Sequence, residues 1–397
     1  MKNIVATGFR GAAAAVLLAC HAAAALAEPV KDCPLRDAPF SVDSPLIDVL
    51  LSPAAVDALQ KSWPGARSLD SWLSGTEAPT FSAILRVRSL ADRPDFPPLA
   101  RLDAALRAVA VNDADRAARC ARYDNDPPQL SIGPGSPRLL VFEKINGFRD
   151  GPSVNAAHAA LQAMASKRGW SLSFTDKGGA MTPALLRQFD AVVWNNVSGD
   201  VLTLSQRAAF QAFVENGGGY VGMHGSAGDP EAFWDWYLDT LVGARFKGHP
   251  GNPQFQDAHV VVEDATHPIT AGLGSGWTMK DEWYSFKNNP RSGATVLATL
   301  DERSYAPGDL AMGDHPIAWT RCVGRGRSFY SAIGHRPESY AEPSHVRLLE
   351  QAVEWAAGKG KLACAPGASK ARSRSQAQSC GLFTIRKKTA SMAVKAG

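Results

Sequence analysis

Residues 217–226 read Gly-Gly-Gly-Tyr-Val-Gly-Met-His-Gly-Ser, and they contain the strongest indication of the fold. Its three leading glycines can supply the left-handed residues that end a helix. Tyr220 to Met223 are mostly apolar and bounded by glycine, which is typical of a short central strand. Gly222 and Gly225 flank His224, so the backbone can turn tightly and hold the imidazole at the carboxyl end of the strand, where open α/β sheets bind ligands. The alternative is a glycine-rich turn with an incidental histidine.

Strand and helix patterns alternate before this stretch. Short apolar runs predict strands over residues 138–142, 170–174 and 190–194, and amphipathic runs predict helices over 154–168, from Thr182, and over 203–216. Strands that alternate with helices at this spacing predict an α/β fold with a doubly wound, mostly parallel sheet.

The chain after His224 is less regular. It predicts a helix over residues 230–242, strands over 256–262, 294–300, 316–320 and 328–333, and a closing helix over 343–357. Residues 268–284, which contain Asp281-Glu282-Trp283-Tyr284, are predicted to form an irregular loop.

The start of the chain resembles an export signal. Residues 1–27 combine a basic start, a short apolar run and Ala25-Leu26-Ala27, which predicts a cleaved signal peptide and a periplasmic or secreted protein beginning at Glu28. The alternative is a lipoprotein anchored to the membrane through Cys20, because the residues before it resemble a lipid-attachment box. No later stretch is apolar for long enough to predict a transmembrane segment.

The net charge of +4 is unevenly distributed. Residues 359–397 contain nine Lys or Arg and no acid, which predicts a basic, disordered tail. Without the charge of +9 on this tail and of +2 on residues 1–27, the rest of the chain has a net charge of −7. Nucleic acid is therefore not expected as a partner. Within the rest, residues 28–136 predict a small helical N-terminal region with a linker, and residues 137–358 predict the α/β domain. The oligomeric state is left open.

Five cysteines remain in the predicted mature chain, and no two of them have metal-ligand spacing. In an exported protein they predict disulfides. Cys33 and Cys120 lie in the N-terminal region, Cys322 and Cys364 flank the last strands and helix, and Cys380 lies in the tail. A bridge between Cys322 and Cys364 is predicted, which the chain-entropy model values at roughly 3 to 4 kcal/mol. The remaining connectivity stays open.

Further motifs follow one another in a fixed order. They are Thr266-His267-Pro268-Ile269, Asp281-Glu282-Trp283-Tyr284, His315-Pro316-Ile317-Ala318-Trp319, and Gly324-Arg325-Gly326-Arg327-Ser328-Phe329-Tyr330 leading to Gly334-His335. With the stretch ending in His224, they resemble the ThuA-like (trehalose utilisation) family of the class I glutamine amidotransferase-like superfamily, over roughly residues 137–358. The resemblance implies a flavodoxin-like fold, a role in carbohydrate metabolism and a small carbohydrate as ligand.

The resemblance also shows two departures. The position that matches the amidotransferase cysteine is His224, and no cysteine lies near it, so thiol-based glutamine hydrolysis is not expected. The family tends to place a histidine after the Phe-Arg that follows the first strand, but Phe148-Arg149 is followed here by Asp150. We expect the Asp150 carboxylate to accept a substrate hydroxyl instead.

Three residues form the candidate catalytic set. His224 and His335 each follow a predicted parallel strand, and Glu282 lies in the predicted loop. Two imidazoles and a carboxylate can ligate Zn²⁺ or another divalent metal and leave a position open for water or substrate. Without a metal, the carboxylate can orient an imidazole that works as a general base. The third interpretation is that the three residues do no chemistry.

Other residues are candidates for binding substrate. Tyr284 and Tyr340 lie close in sequence to Glu282 and His335, and we expect them in the pocket. His249 lies in a glycine-rich loop. It either lines the pocket or is solvated, and the sequence favours neither alternative.

These residues predict an exported protein that acts on a glycoside or an oxidised (keto) sugar, as a sugar hydrolase or a keto-sugar isomerase or lyase. A conventional glycosidase is less well supported, because it needs two facing carboxylates. The alternative is a non-catalytic sugar-binding or scaffold module that kept the amidotransferase-like fold.

Overall fold

The computed structural model describes residues 29–231 and 233–358. The predicted signal peptide with its cleavage site, Cys20, Cys364 and the predicted tail lie outside these residues. None of the described helices is both long and apolar enough to cross a membrane.

In the described chain, strands and α-helices alternate over residues 138–223; only helices precede this segment, and a run of strands and a final α-helix follow it. The strands are β1 (Arg138–Phe142), β2 (Ser171–Thr175), β3 (Ala191–Asn195), β4 (Gly219–Met223), β5 (Phe246–Gly248), β6 (Phe255–Val262), β7 (Gly276–Glu282), β8 (Ser285–Phe286), β9 (Thr295–Asp301), β10 (Pro316–Val323) and β11 (Gly326–Ser331). The α-helices are α1 (Leu46–Leu50), α2 (Pro53–Ser62), α3 (Leu99–Arg107), α4 (Asp113–Cys120), α5 (Gly151–Arg168), α6 (Pro183–Leu186), α7 (Leu204–Glu215) and α8 (Pro343–Ala356).

Nine of these strands form one sheet, in the order β2-β1-β3-β4-β11-β10-β9-β6-β7. The first five are parallel, and we call them the parallel half. On β3, Trp194 stacks against Phe210 of α7, whereas Asn195 donates a hydrogen bond to the Val154 carbonyl of α5. Neighbouring residues of a strand point to opposite faces, so helices cover both faces. The predicted doubly wound α/β fold is confirmed.

The remaining strands, β10, β9, β6 and β7, form the antiparallel half of the sheet. Residues 276–282 were predicted to be irregular, and this prediction is wrong because they form β7. Buried Trp277 and Met279 alternate along it with exposed Thr278 and Lys280, as in a half-covered strand. Three glycines just before and at the start of this strand hide its pattern in the sequence.

The segment after His224 also differs from its prediction. A regular helix was predicted over residues 230–242, but the helical backbone is a π-helix restricted to Trp236–Val242. Its π geometry accompanies close packing of Tyr237, whose hydroxyl contacts the Tyr220 hydroxyl and donates to the Ser226 carbonyl. π-Helical turns are frequent near functional sites.

The N-terminal region has a hydrophobic core of its own, which includes Phe40, Leu46, Trp63 and Leu102. A disulfide between Cys33 and Cys120 joins its first residues to the end of α4. Cys322 is also disulfide-bonded, but its predicted pairing with Cys364 stays a prediction, because Cys364 lies outside the described residues.

The N-terminal region is attached to the loops at the carboxyl edge of the sheet. The Thr80 amide donates to the Asn146 carbonyl over 3.0 Å, just after β1. Arg86 pairs with Glu231 over 3.1 Å, after β4. Ligands bind at this edge in open α/β sheets, so the N-terminal region lies beside the place where a site is expected.

Candidate functional site

His224 lies on a strained turn at the end of β4. Its backbone has φ of 36°, a left-handed conformation that few residues other than glycine adopt. The Tyr330 hydroxyl donates to the His224 carbonyl over 2.7 Å, and the imidazole Nδ1 lies 2.8 Å from the Ala332 carbonyl. A carbonyl only accepts, so Nδ1 carries a proton. Nε2 is therefore the atom left for chemistry.

His335 follows β11, the neighbour of β4 in the sheet. Its Nδ1 lies 3.2 Å from Nε2 of His224. The loop that carries it begins at Gly334, where φ is 136°, and a Cβ at this position would come within 2.3 Å of the Tyr340 hydroxyl. Only glycine fits this turn, which brings the second imidazole against the first.

Glu282 completes the cluster from the end of β7. Its Oε2 lies 3.0 Å from Nδ1 of His335 and 3.4 Å from Nε2 of His224. Its Oε1 accepts a hydrogen bond from the Gln254 amide over 2.5 Å. The Glu282 and His224 side chains are only 2% and 4% exposed, so the carboxylate is almost removed from water. Each of its oxygens nevertheless has a partner, as a buried charge requires.

The approach of Glu282 to His224 requires a curved sheet. β7 runs in the same direction as β4 and β11, so its carboxyl end lies on the same edge. Five strand steps separate β4 from β7, which is about 24 Å in a flat sheet. The antiparallel half must therefore curl over the edge, and the β10–β9 pairing shows the register shifts, at Pro316 and Ala318, that increase such bending.

Asp281, beside Glu282, fixes the His335 loop. Its fully buried carboxylate accepts backbone hydrogen bonds from Gly334, His335 and Arg336, at 2.7, 3.1 and 3.2 Å. The Ser339 hydroxyl donates to the same carboxylate over 2.8 Å. A single side chain of the antiparallel half thus sets the backbone of the loop that carries the second histidine.

The charges in the cluster reinforce one another. Burial raises the pKa of Glu282, but the hydrogen bonds and charges of the two imidazoles outweigh it and hold the pKa well below its usual range. Burial lowers the pKa of His335, but its hydrogen bond to Glu282 and the negative charges of Glu282 and Asp150 outweigh this, and its pKa is raised. Both pKa shifts favour an ionised Glu282 beside a protonated His335.

The donor atoms of the cluster also fit a divalent metal. One ligand atom from each of His224, Glu282 and His335 lies within 4.8 Å of the others, and this is the only such group of three found in the described part of the chain. Two nitrogens and a carboxylate oxygen suit Zn²⁺. The hydrogen bond from Nδ1 of His224 to a backbone carbonyl is the outer-shell contact that metal-bound histidines usually make.

The predicted substrate-binding residues lie around the cluster in different positions. Nε2 of His249 is 3.3 Å from Glu282 Oε1, and its side chain is 34% exposed, so it contacts the cluster and also reaches solvent. Asp150 Oδ2 is 3.8 Å from Nε2 of His335. The Tyr284 ring stacks on His224 at 4.1 Å, and the Tyr340 hydroxyl accepts from the Asn196 amide. Both tyrosines are buried behind the imidazoles. Contact of any of these residues with substrate stays a prediction.

Sequence reasoning missed three residues of the site. In the sequence, Asp281 stands out only as part of a motif, and Gln254 and Phe255 do not stand out. Phe255 lies opposite Glu282 in the β6–β7 pairing, with its ring 5.4 Å from His335. The sequence does contain one signal for these residues: the acidic pair Asp281-Glu282 ends a run in which apolar and polar residues alternate. Two acidic side chains buried at the end of a strand need hydrogen-bond donors close by.

Comparison with known proteins places the described domain in a family context. The family model for trehalose utilisation (ThuA) matches residues 138–356. A ThuA-like protein from Bacteroides uniformis is 26% identical, with a TM-score of 0.49, over 56% of this chain and 92% of its own. A ThuA-like protein from Parabacteroides merdae is 20% identical, with a TM-score of 0.45, over 57% of this chain and 92% of its own. No curated protein is significantly similar to the chain.

Proposed function

The chain belongs to the ThuA, trehalose-utilisation, family, and we propose that it is an exported enzyme that acts on a glycoside or keto-sugar at the His224–Glu282–His335 cluster. One observation carries this proposal. Buried His224 and Glu282 and half-buried His335, which lie at or after the ends of β4, β7 and β11, bring their ligand atoms within 4.8 Å, although five strand steps separate β4 from β7. A buried carboxylate costs free energy unless it is paired, and supporting hydrogen bonds surround each member of the set.

In the metal-assisted form, His224 Nε2, His335 Nδ1 and Glu282 would hold a divalent cation, with zinc the ion that suits them best. Such an ion supplies a Lewis acid for a carbonyl or hydroxyl oxygen. The chain itself fixes the His224 tautomer through the Ala332 carbonyl, keeps Glu282 oriented through Gln254, and excludes water through burial.

In the metal-free form, the two imidazoles divide the roles of acid and base. His224 Nε2 takes the proton from the carbon beside the keto-sugar carbonyl. Protonated His335 gives its proton to the carbonyl oxygen, and an enediol forms. Glu282 stays ionised and stabilises the imidazolium. The sugar isomerises when His224 returns its proton to the former carbonyl carbon and His335 takes the proton of the hydroxyl on the other enediol carbon. Elimination follows instead when a leaving group on the next carbon departs with the proton of His224 and the enol proton returns to His335.

The proposed export rests on a separate observation. Cys33 and Cys120 form a disulfide in the N-terminal region, and disulfides persist mainly in oxidising compartments. Mass spectrometry of the exported protein should find a chain beginning at Glu28. An acylated Cys20 would instead make it an anchored lipoprotein.

The proposal is tested with one set of variants. Wild-type protein, purified without chelator, is analysed for bound metals and incubated with a ketoglucoside in D₂O, and NMR follows exchange of the proton beside the carbonyl. His224→Gln and Glu282→Gln should slow exchange by at least about 100-fold, the usual effect of removing an acid–base group. If the metal form is correct, both variants should also lose the metal.

His158→Gln is the matched control. His158 also pairs with a glutamate, Glu143 at 3.0 Å, but it lies on α5 away from the cluster. It should exchange like wild type. A wild-type protein that binds the sugar but catalyses no exchange or hydrolysis, with affinity unchanged in His224→Gln, would contradict the enzyme and support the binding module.

A further inference from the structure

Aromatic rings form a continuous row that leads away from the cluster into the N-terminal region. From Trp72 to Phe81 the ring centroids are 5.3 Å apart, and from Phe81 to Phe148 they are 5.1 Å apart. The Phe148 ring stacks on His335 at 6.1 Å with an interplanar angle of 18°. We call Trp72, Phe81 and Phe148 the aromatic row.

Two of the three members of the aromatic row are exposed, although they are apolar. Trp72 is 55% exposed and Phe148 is 41% exposed. Five large apolar side chains are exposed in the described part of the chain, and the two aromatic ones both belong to this row. The others are Leu35, Leu99 and Leu204, and none of them is aromatic. A contiguous exposed apolar surface marks a binding site more often than it serves the fold.

The row is held rigidly across the junction between the N-terminal region and the α/β domain. The Thr80 amide, next to Phe81, donates to the Asn146 carbonyl two residues before Phe148. The Phe148 amide donates to the Ser198 hydroxyl over 3.0 Å. A Cβ on Gly147 would come within 2.4 Å of the Ile84 side chain, so the two segments touch without space for a larger residue. The rings therefore keep fixed positions relative to His335.

Polar groups accompany the rings at the far end. Trp72 and Phe81 line an open groove of about 600 Å³, and Asp92 and Arg93 line the same groove. This volume lies within the range of pockets that bind small ligands. Sugar rings present apolar C–H faces and a rim of hydroxyls, so aromatic faces with charged groups beside them match a carbohydrate better than they match a purely apolar ligand.

We propose that the aromatic row is a second carbohydrate subsite, which makes the substrate a saccharide or glycoside of at least two rings. One ring would occupy the cluster beside His335, and the next would lie on Phe148 and Phe81 toward Trp72. This inference rests on the proposed function, since it uses the cluster as the place of the first ring. The N-terminal region would then select substrate length.

The test compares ligands of different length on Trp72 variants of the full protein. Isothermal titration measures Kd for glucose, trehalose, cellobiose and maltotriose with wild type, Trp72→Ala and Trp72→Phe. We expect Trp72→Ala to weaken binding of the longer sugars about three- to tenfold, the size of one aromatic contact, and to leave glucose unchanged. Trp72→Phe should recover most of the loss. Leu99→Ala, another exposed apolar residue of the N-terminal region, is the control and should bind like wild type.

Unchanged Kd values in Trp72→Ala for every longer sugar, an equal loss for glucose, or no binding of any sugar longer than glucose would overturn the subsite. The ketoglucoside exchange assay keeps the two proposals apart. If His224→Gln loses exchange while Trp72→Ala binds all sugars normally, the subsite is wrong and the catalytic proposal stands. If Trp72→Ala loses only the longer sugars while His224→Gln remains active, the subsite stands and the catalytic assignment is wrong.

Discussion

In the parallel half of the sheet, the site residues project from turns, whereas in the antiparallel half they lie at the end of a regular strand. His224 has a strained left-handed backbone, and His335 follows a glycine that has no room for a side chain. Asp281 and Glu282 are consecutive residues of β7. The histidines are therefore placed by backbone shape, and the carboxylates by the curl of a sheet.

The antiparallel half is therefore more than an extension of the sheet. Glu282 supplies the carboxylate of the cluster, and Asp281 fixes the loop of the other half through hydrogen bonds to three backbone amides and a hydroxyl. Asp281 thus couples the two halves, in addition to the contacts of Glu282 with both histidines. Damage to Asp281 should therefore move His335, although Asp281 does not itself belong to the cluster.

The largest effect is expected from Asp281→Asn. The amide keeps the shape but replaces one acceptor oxygen with a donor that faces other donors, and breaking a buried charged network typically costs about 4 kcal/mol. Urea unfolding should show this loss of stability. Proton exchange in the ketoglucoside assay should fall with it, because the His335 loop loses its anchor.

Asp257→Asn provides the control for that prediction. Asp257 is an exposed carboxylate of β6, the strand paired with β7. The same substitution there should change the free energy of unfolding by less than about 0.5 kcal/mol. Equal effects at the two positions would contradict the coupling of the two halves through Asp281.

A smaller effect is expected from Gly334→Ala, which perturbs the parallel half. Alanine at this position would have to adopt a positive φ and would place its Cβ close to the Tyr340 hydroxyl. We therefore expect the free energy of unfolding to fall by about 2 to 3 kcal/mol. Gly217→Ala separates these causes, because Gly217 has φ of 118° but open space around its Cα. It should lose only about 1 kcal/mol, measured by urea unfolding. A loss at Gly334 no larger than at Gly217 would show that the turn is not sterically restricted.

The two halves also differ in how much the sequence predicts. β1, β3 and β4 and the position of His224 were predicted because apolar runs, caps and glycines are local signals. At the start of α7, for example, Thr203 and Gln206 form a capping box from residues only three positions apart. β7 was missed because the glycines before it look like loop residues. The curl of the antiparallel half depends on pairings far apart in the chain, which no local pattern reveals.

In the candidate site, too, the residues of the parallel half were easier to predict than those of the antiparallel half. The sequence predicted that His224 and His335 share one edge, because both follow strands of a parallel sheet. It named Glu282 from the resemblance and its residue type, but placed it in a loop rather than on β7. The roles of Asp281 and Phe255 could not be predicted, since both depend on the curled sheet returning to the histidines.

The smallest predicted effect lies in the parallel half, outside the cluster. Burial raises the pKa of Asp229 to about 7, although Ser198 and Gly199 donate hydrogen bonds to its carboxylate over 2.5 and 2.6 Å. The folded pKa exceeds the unfolded value of about 3.9, so the folded state binds more protons between these values. This contribution to stability is complete below about pH 4 and is lost as the pH rises through 7.

Between pH 6 and pH 8, the free energy of unfolding of wild type should fall by about 1 kcal/mol relative to Asp229→Asn, whose amide does not titrate. Urea unfolding of both proteins at the two pH values measures this difference. Parallel pH dependences of the two proteins would contradict the prediction, because they would show that Asp229 does not titrate between pH 6 and pH 8.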